Sequence, residues 1–181
     1  MDNRIRLVSV FFKWVFILIM TALPILNIVF WWHVPNALTL QGYLTFTPLP
    51  DGVKVLHTLS VATKFIGFMM TLIPVGLQML VCFFLFTLFH RFAQRRIFTI
   101  DNVVAVKRVA ITILVSQLIN PVYQLLISGL LTWQNPVGKG VAQIELTGAN
   151  IGLLLMALLI VFTSWIMHQG YQLQQDQQYT V

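Results

Sequence analysis

The chain has 181 residues, of which 58% are hydrophobic and only 9% are charged, and its formal net charge is +6. Water-soluble globular domains carry roughly 25% charged residues, so this composition excludes an ordinary soluble domain and indicates one compact membrane domain. The basic residues lie at the ends of apolar runs and not on one solvated face, which argues against direct binding of nucleic acid.

Four apolar runs follow one another along the chain, each close to the roughly 20 residues that cross a bilayer core. We predict an all-α membrane protein with transmembrane helices at about residues 10–32, 65–89, 109–131 and 149–168. The first run follows a basic start, as a secretory signal does, but it is too long and no small-residue cleavage site ends it. We therefore expect an uncleaved first transmembrane helix.

The two loops on the predicted outer side contain strand-like sequence. Residues 39–47 are rich in β-branched and aromatic side chains, and residues 141–146 alternate between apolar and polar side chains. Both patterns predict short strands. The sequence leaves open whether the two pair into a small β-sheet. Asp51, in the first of these loops, is placed to cap a helix that leads into the second span.

The polar stretch 90–108, between the second and third spans, determines the predicted topology. Its five basic residues are Arg91, Arg95, Arg96, Lys107 and Arg108. Basic residues accumulate on the cytoplasmic side of membrane proteins. With this stretch inside, eight basic residues fall on the cytoplasmic side and three on the outer side. We therefore predict that both termini are cytoplasmic.

Two helix ends face the cytoplasm in this topology. We expect the third helix to start near Asn102, with Thr99 or Asp101 accepting from its free N–H groups. Lys107 and Arg108 then lie in its first turns, where positive charge opposes the helix dipole. Topology, lipid phosphate or a partner's carboxylate must offset that cost. The fourth helix is expected to extend beyond the membrane to about Gln177.

The spans contain little that could carry chemistry. We find no nucleophile motif, no phosphate-binding loop, no metal-ligand spacing and no paired carboxylates, so we expect neither an enzyme nor a cofactor. All five acidic residues lie outside the spans, which argues against proton-coupled transport. The embedded polar residues are Asn27, Gln78, Gln117 and Asn120. Hydrogen bonds between helices explain them, and a polar path for a solute is the alternative.

Two short motifs lie in the segments 95–109 and 168–181. The first consists of Ile97, Phe98, Asn102 and Val103, and the second of Gly170, Leu173, Asp176, Thr180 and Val181. With the four spans, they resemble a domain-of-unknown-function family of small four-helix bacterial inner-membrane proteins. Arg95 stands where that family has glycine, and the tail, acidic in the family, is mostly glutamine here. The resemblance implies no known activity, but members are often encoded beside a short helix-turn-helix regulator.

We predict a non-enzymatic regulatory or sensory membrane protein that binds a cytoplasmic partner. The resemblance implies the bacterial inner membrane as its location and a small helix-turn-helix regulator as an example of that partner. The residues predicted to dock that partner are Arg91, Arg95, Arg96, Phe98, Asn102, Lys107, Arg108, Gly170, Leu173 and Asp176. The lipid bilayer is the other predicted partner, and a homo-oligomer is left open. The alternative is a small transporter or permease-like accessory protein with a path near the four embedded polar residues.

Overall fold

The protein is described by a computed structural model that covers residues 3–33, 59–94, 99–133, 135, 142, 144–146 and 148–178. Four long helices account for almost all of these residues. They are α1 (Asn3–His33), α2 (Val61–Ala93), α3 (Ile100–Thr132) and α4 (Gly148–Gln178). The four predicted helices are confirmed, and each extends beyond its predicted span. The end of α4 lies one residue from the expected Gln177.

All four helices are long and apolar enough to cross a membrane. Large apolar side chains remain exposed on each of them, for example Leu18, Ile73, Leu118 and Leu159. A helix that is hydrophobic on all sides must face other protein or lipid, because water would solvate those side chains poorly. This surface, together with the lengths, is that of a multi-pass membrane protein.

The predicted outer β-sheet finds no support. No described residue forms a strand. Residues 39–47 and Asp51 lie outside the described residues, while residues 142 and 144–146 are described and irregular. The reason is visible at Glu145, whose main-chain N–H donates to the side-chain Oε1 of Gln124 at 2.7 Å. A side chain of α3 therefore takes the hydrogen bond that a neighbouring strand would have accepted.

Helix α2 begins with a cap that the sequence analysis did not single out. Ser60 Oγ accepts a hydrogen bond from the main-chain N–H of Thr63 at 3.2 Å, and the two hydroxyl oxygens lie 2.9 Å apart. Such a bond satisfies one of the N–H groups that the first helical turn leaves without a partner. A serine directly before an apolar run is the local signal for this cap.

The described residues form two compact units, one within Met1–Met20, Leu80–Val115 and Ile151–Val181, the other within Thr21–Met79 and Ser116–Asn150. We call them unit 1 and unit 2. Unit 2 contains a core cluster of buried apolar side chains. Its members are Phe30, Trp31, Leu59, Tyr123, Ile127 and Leu131. Trp31 joins α1 to α2 in this cluster, because its ring lies where a Cβ at Gly67 would be.

A buried polar contact accompanies this packing in unit 2. Trp31 Nε1 donates to Thr71 Oγ1 at 3.0 Å, and the Thr71 hydroxyl lies 2.9 Å from Asn27 Oδ1 and 2.8 Å from the carbonyl of Phe68. The hydroxyl has one proton and can donate to only one of these two oxygens. A flip of the Asn27 amide would let its Nδ2 donate to Thr71 instead, and one amide atom of Asn27 stays without a partner in both orientations.

Unit 1 packs through aromatic rings and through hydrogen bonds between helices. Phe89 of α2 contacts two rings of α1, Phe12 and Phe16, with centroids 5.1 and 5.6 Å away. On α4, the buried Ser164 donates through Oγ to the main-chain carbonyl of Val103 on α3 at 3.0 Å. Within unit 1, these contacts join α1 to α2 and α3 to α4.

Candidate functional site

The end of α2 and the start of α3 are tied together at the predicted cytoplasmic loop. Arg91 Nη1 donates to the main-chain carbonyl of Asp101 at 2.8 Å. The main-chain N–H of Asn102 donates to the carbonyl of Thr99 at 3.0 Å. Helix α3 begins at Ile100, two residues before the predicted start at Asn102. Asp101 lies in the first turn of α3, where a carboxylate complements the helix dipole. The side chain of Arg91 at the end of α2 is therefore bonded to the backbone of the first turn of α3.

The predicted docking residues of this loop have different environments. Arg95, Arg96 and Phe98 lie outside the described residues. Asn102 is buried, with 5% of its surface exposed, so its side chain belongs to the interior of unit 1. Lys107 and Arg108 are both exposed on α3. The Asp, Lys and Arg side chains described in this stretch are therefore Arg91, which is half-buried, and the exposed Asp101, Lys107 and Arg108.

Among the exposed cations, Arg108 has the most clearly defined side-chain contact. Its guanidinium carbon lies 6.0 Å from the ring centroid of Phe84 on α2, within the range of a cation–π contact. No described carboxylate forms an ion pair with Arg108 or with Lys107. Both cations lie seven or eight residues after the first residue of α3, about 10–12 Å along the helix. They therefore stand beside the apolar part of α3 without a counter-charge among the described residues.

The second predicted docking segment is the end of α4. The bond from Ser164 to Val103 brings this helix against the first turns of α3. Ser164 is followed by 14 helical residues, about 21 Å of helix, that include Gly170, Leu173 and Asp176. Gly170 is exposed. Both predicted docking segments thus belong to unit 1, and α4 continues well past the α3 residue that it contacts.

The embedded polar residues of unit 2 are a second group of candidate residues. Buried side-chain atoms with no hydrogen-bond partner among the described residues are Nδ2 of Asn27, Oε1 of Gln78, Oδ1 of Asn120 and the hydroxyl of Tyr123. Asn27 and Tyr123 are 2% and 4% exposed. An unpaired polar group costs several kcal/mol in hydrocarbon, so these atoms are expected to have partners in the membrane. Gln117 is half-buried.

Sequence reasoning identified Asn27 but neither Thr71, which bonds to it, nor Tyr123 of the core cluster. Tyr123 belongs to the same buried cluster as Trp31, and Trp31 is bonded to Thr71. Asn120 lies three residues before Tyr123, about one turn along α3. A threonine and a tyrosine in apolar runs give no local sign of these contacts. The contacts depend on how α1 packs against α2 and on how α3 packs into the core cluster.

Metal and redox chemistry have no visible centre in the described part of the chain. No group of three His, Cys, Asp or Glu side chains there could hold a metal ion. His90 stacks on Phe86 at a centroid distance of 5.9 Å, and its Nε2 lies 3.1 Å from Nε2 of Gln94. Cys82 is a buried free thiol on α2. The contacts of His90 are ordinary packing at the end of α2.

The four long apolar helices define the class, a multi-pass α-helical membrane protein. A family model described as "Protein of unknown function (DUF2975)" matches residues 24–181. The chain belongs to this family, and the resemblance of the two short motifs is thereby confirmed. No curated protein and no solved structure matches the chain. The family carries no activity from which a role could be transferred.

Proposed function

We propose that this protein is a non-enzymatic regulatory or sensory protein of the bacterial inner membrane, which binds a cytoplasmic partner through the stretch 91–108 and the end of α4, residues 170–181. Both termini are cytoplasmic in this proposal, as the excess of basic residues on that side predicts. The partner class is a small soluble protein such as a helix-turn-helix regulator, taken by analogy from the resemblance noted above.

The observation that carries the proposal is the hydrogen bond from Ser164 of α4 to Val103 of α3. It brings the polar end of α4 to the same unit as the basic loop. Because α4 has 14 residues beyond Ser164 and α3 has only three before Val103, an antiparallel α4 extends about 16 Å past the start of α3. This length of helix past the start of α3 supports the end of α4 as the second docking segment.

A hydrogen bond between α2 and α3 also supports the proposal. The Arg91–Asp101 hydrogen bond joins the two helix ends on either side of the loop. A docking surface that is already ordered loses less conformational entropy when the partner binds. The exposed Lys107 supplies charge that favours a partner with an acidic face.

Co-purification in detergent tests the proposal. The tagged full chain is expected to retain a stoichiometric small DNA-binding protein, and this protein should be lost on Phe98→Ala or on deletion of residues 170–181. Lys64→Gln is the matched control, because Lys64 is a half-buried cation of unit 2. Each variant must elute as a monodisperse species. Undiminished partner binding by both docking variants would reject the docking site.

The topology is tested separately. Reporter fusions after residue 178 and within residues 95–98 are expected to report the cytoplasm, and a fusion within residues 136–140 the periplasm. A periplasmic signal from either of the first two fusions would remove the partner surface from the cytoplasm. The docking proposal would then fail whatever the result of co-purification.

A second candidate is a small transporter or permease-like accessory protein. It is favoured by the unpartnered buried atoms of Asn27, Gln78, Asn120 and Tyr123, since polar groups inside the membrane often line substrate paths. Flux of a neutral solute into liposomes, lost on Asn120→Leu and kept on Leu118→Ala, would support this candidate. Leu118 is an exposed apolar residue of the same helix. Equal flux in protein-free liposomes would reject it.

A further inference from the structure

The two cations of α3 lie at an unusual place for positive charge. Lys107 and Arg108 stand in the first half of the helix, where the dipole disfavours cations, and the next residues, 109–115, are almost entirely apolar. Both side chains are exposed, and no described carboxylate pairs with them. An exposed cation at the edge of a hydrocarbon region requires an anion or deep hydration. The question is which anion this site fits.

Contacts between α2 and α3 hold Arg108 in a defined position. The guanidinium lies over the ring of Phe84 at 6.0 Å. The main-chain carbonyl of Arg108 is occupied by the hydroxyl of Thr112 at 2.8 Å. A guanidinium has five N–H donors in a planar fork that matches phosphate, and stacking on an aromatic ring leaves these donors at the ring's edge free to bind. Arg108 is thus arranged to bind an oxyanion.

The surface beyond Arg108 is apolar on both helices. Ile111 and Val115 follow Arg108 on the same face of α3 and are 42% and 38% exposed. In unit 1, α2 and α3 run antiparallel, because Arg91 meets Asp101 and Phe84 meets Arg108. Because the helices are antiparallel, the α2 residue beside this part of α3 lies one turn before Phe84. This residue is Leu80, which is 46% exposed. Arg108 therefore lies at one end of an exposed apolar strip that side chains of α2 and α3 form together.

We propose that Arg108 binds the phosphate of an anionic phospholipid whose acyl chain lies along Leu80, Ile111 and Val115. A lipid combines the two features that the surface offers, a negative headgroup and a hydrocarbon chain, at the spacing of a single molecule. A free phosphate or an acidic peptide would leave the apolar strip unexplained. Lys107, on the neighbouring face of α3, adds attraction to the same anionic leaflet. Arg108 is also one of the predicted docking residues, but lipid binding at this site does not require the cytoplasmic partner.

Native mass spectrometry of the delipidated full chain in detergent tests the site. The probes are phosphatidylglycerol and phosphatidylcholine with identical acyl chains, and inorganic phosphate as a competitor. We expect phosphatidylglycerol to bind about tenfold more tightly than phosphatidylcholine, a difference typical of one charge-assisted contact at an interface. Arg108→Gln should abolish this preference, and Arg6→Gln, which removes an exposed cation of α1 in unit 1, should retain it.

Two further variants separate recognition from folding. Arg108→Lys keeps the charge and loses the planar fork, so the preference should fall to an intermediate value. Phe84→Leu keeps an apolar side chain and loses the ring, so the preference should fall about threefold while the helical content stays unchanged. Equal binding of the two lipids by the unmodified chain would overturn the proposal. So would an equal loss in the Arg6 and Arg108 variants, or displacement of phosphatidylglycerol by millimolar phosphate.

Discussion

The close packing of Trp31 against α2 makes Gly67 the position with the clearest predicted effect on stability. A Cβ at residue 67 would overlap the six-membered ring of Trp31, whose Cζ3 and Cζ2 would lie 2.5 and 2.6 Å away and whose Cη2 would lie closest. The ring cannot move aside easily. Trp31 is 5% exposed, packs edge-on against Phe30 at 5.5 Å, and donates to Thr71. Gly67→Ala should therefore force the two helices apart.

The magnitude follows from two opposing terms. Alanine is a better helix former than glycine by about 1 kcal/mol in the helix interior. Overpacking of a buried contact costs about 1–3 kcal/mol. At Gly76 of the same helix, a Cβ would meet no atom within 4 Å, so Gly76→Ala carries the first term alone. The difference in unfolding free energy between the two variants should equal the overpacking term, about 1–3 kcal/mol.

Reversible unfolding by SDS in mixed micelles, followed by far-ultraviolet circular dichroism, measures that difference. Gly67→Ala should unfold at a lower SDS fraction than the unmodified chain or Gly76→Ala. In a Trp31→Leu background, Gly67→Ala should cost less than in the unmodified chain, because the smaller side chain leaves room for the methyl group. Equal stability of the two alanine variants would refute the close approach of Trp31 to α2.

Three further predictions concern particular hydrogen bonds. Thr71→Val removes two side-chain hydrogen bonds between α1 and α2, each about 0.6 kcal/mol in a membrane. It should therefore lower the unfolding free energy in the same SDS assay by about 1 kcal/mol, whereas Thr71→Ser keeps the hydroxyl and should leave it unchanged. Ser60→Ala should lower it by about 1 kcal/mol through loss of the α2 cap, whereas Ser60→Asp retains an acceptor and should be neutral. Gln124→Leu removes the acceptor of the Glu145 N–H, so that amide should exchange its hydrogen faster; unchanged protection would contradict the contact.

The gross architecture was predictable because it depends on composition in single stretches of chain. A run of about 20 apolar residues must become a helix in a bilayer, since no other local structure satisfies its own N–H and C=O groups there. All four helices could be placed on this ground. The helix ends were placed less well. The start of α3 at Ile100 and the cap of α2 at Ser60 depend on individual hydrogen bonds that apolar periodicity does not report.

The candidate sites were predictable only in part. The basic residues around Arg108 are evident in the sequence. The sequence does not show that Arg108, and not Lys107, contacts the ring of Phe84 on another helix. Asn102 appears in the sequence as a polar loop residue and a docking candidate, yet it is buried on the inner face of α3. The predicted second outer strand failed for a similar reason, because the side chain of Gln124 binds the backbone at Glu145.

Composition and the order of apolar and basic segments determined by themselves that this chain forms four membrane-spanning helices, because transfer of side chains into hydrocarbon is a property of each segment alone. Tertiary structure decided which polar atoms obtain partners. Thr71 joins Asn27 and Trp31, Ser164 bonds to Val103, and Tyr123 obtains no partner among the described residues. These outcomes depend on which faces of the helices meet, and that pairing is a property of the folded chain and not of any one segment.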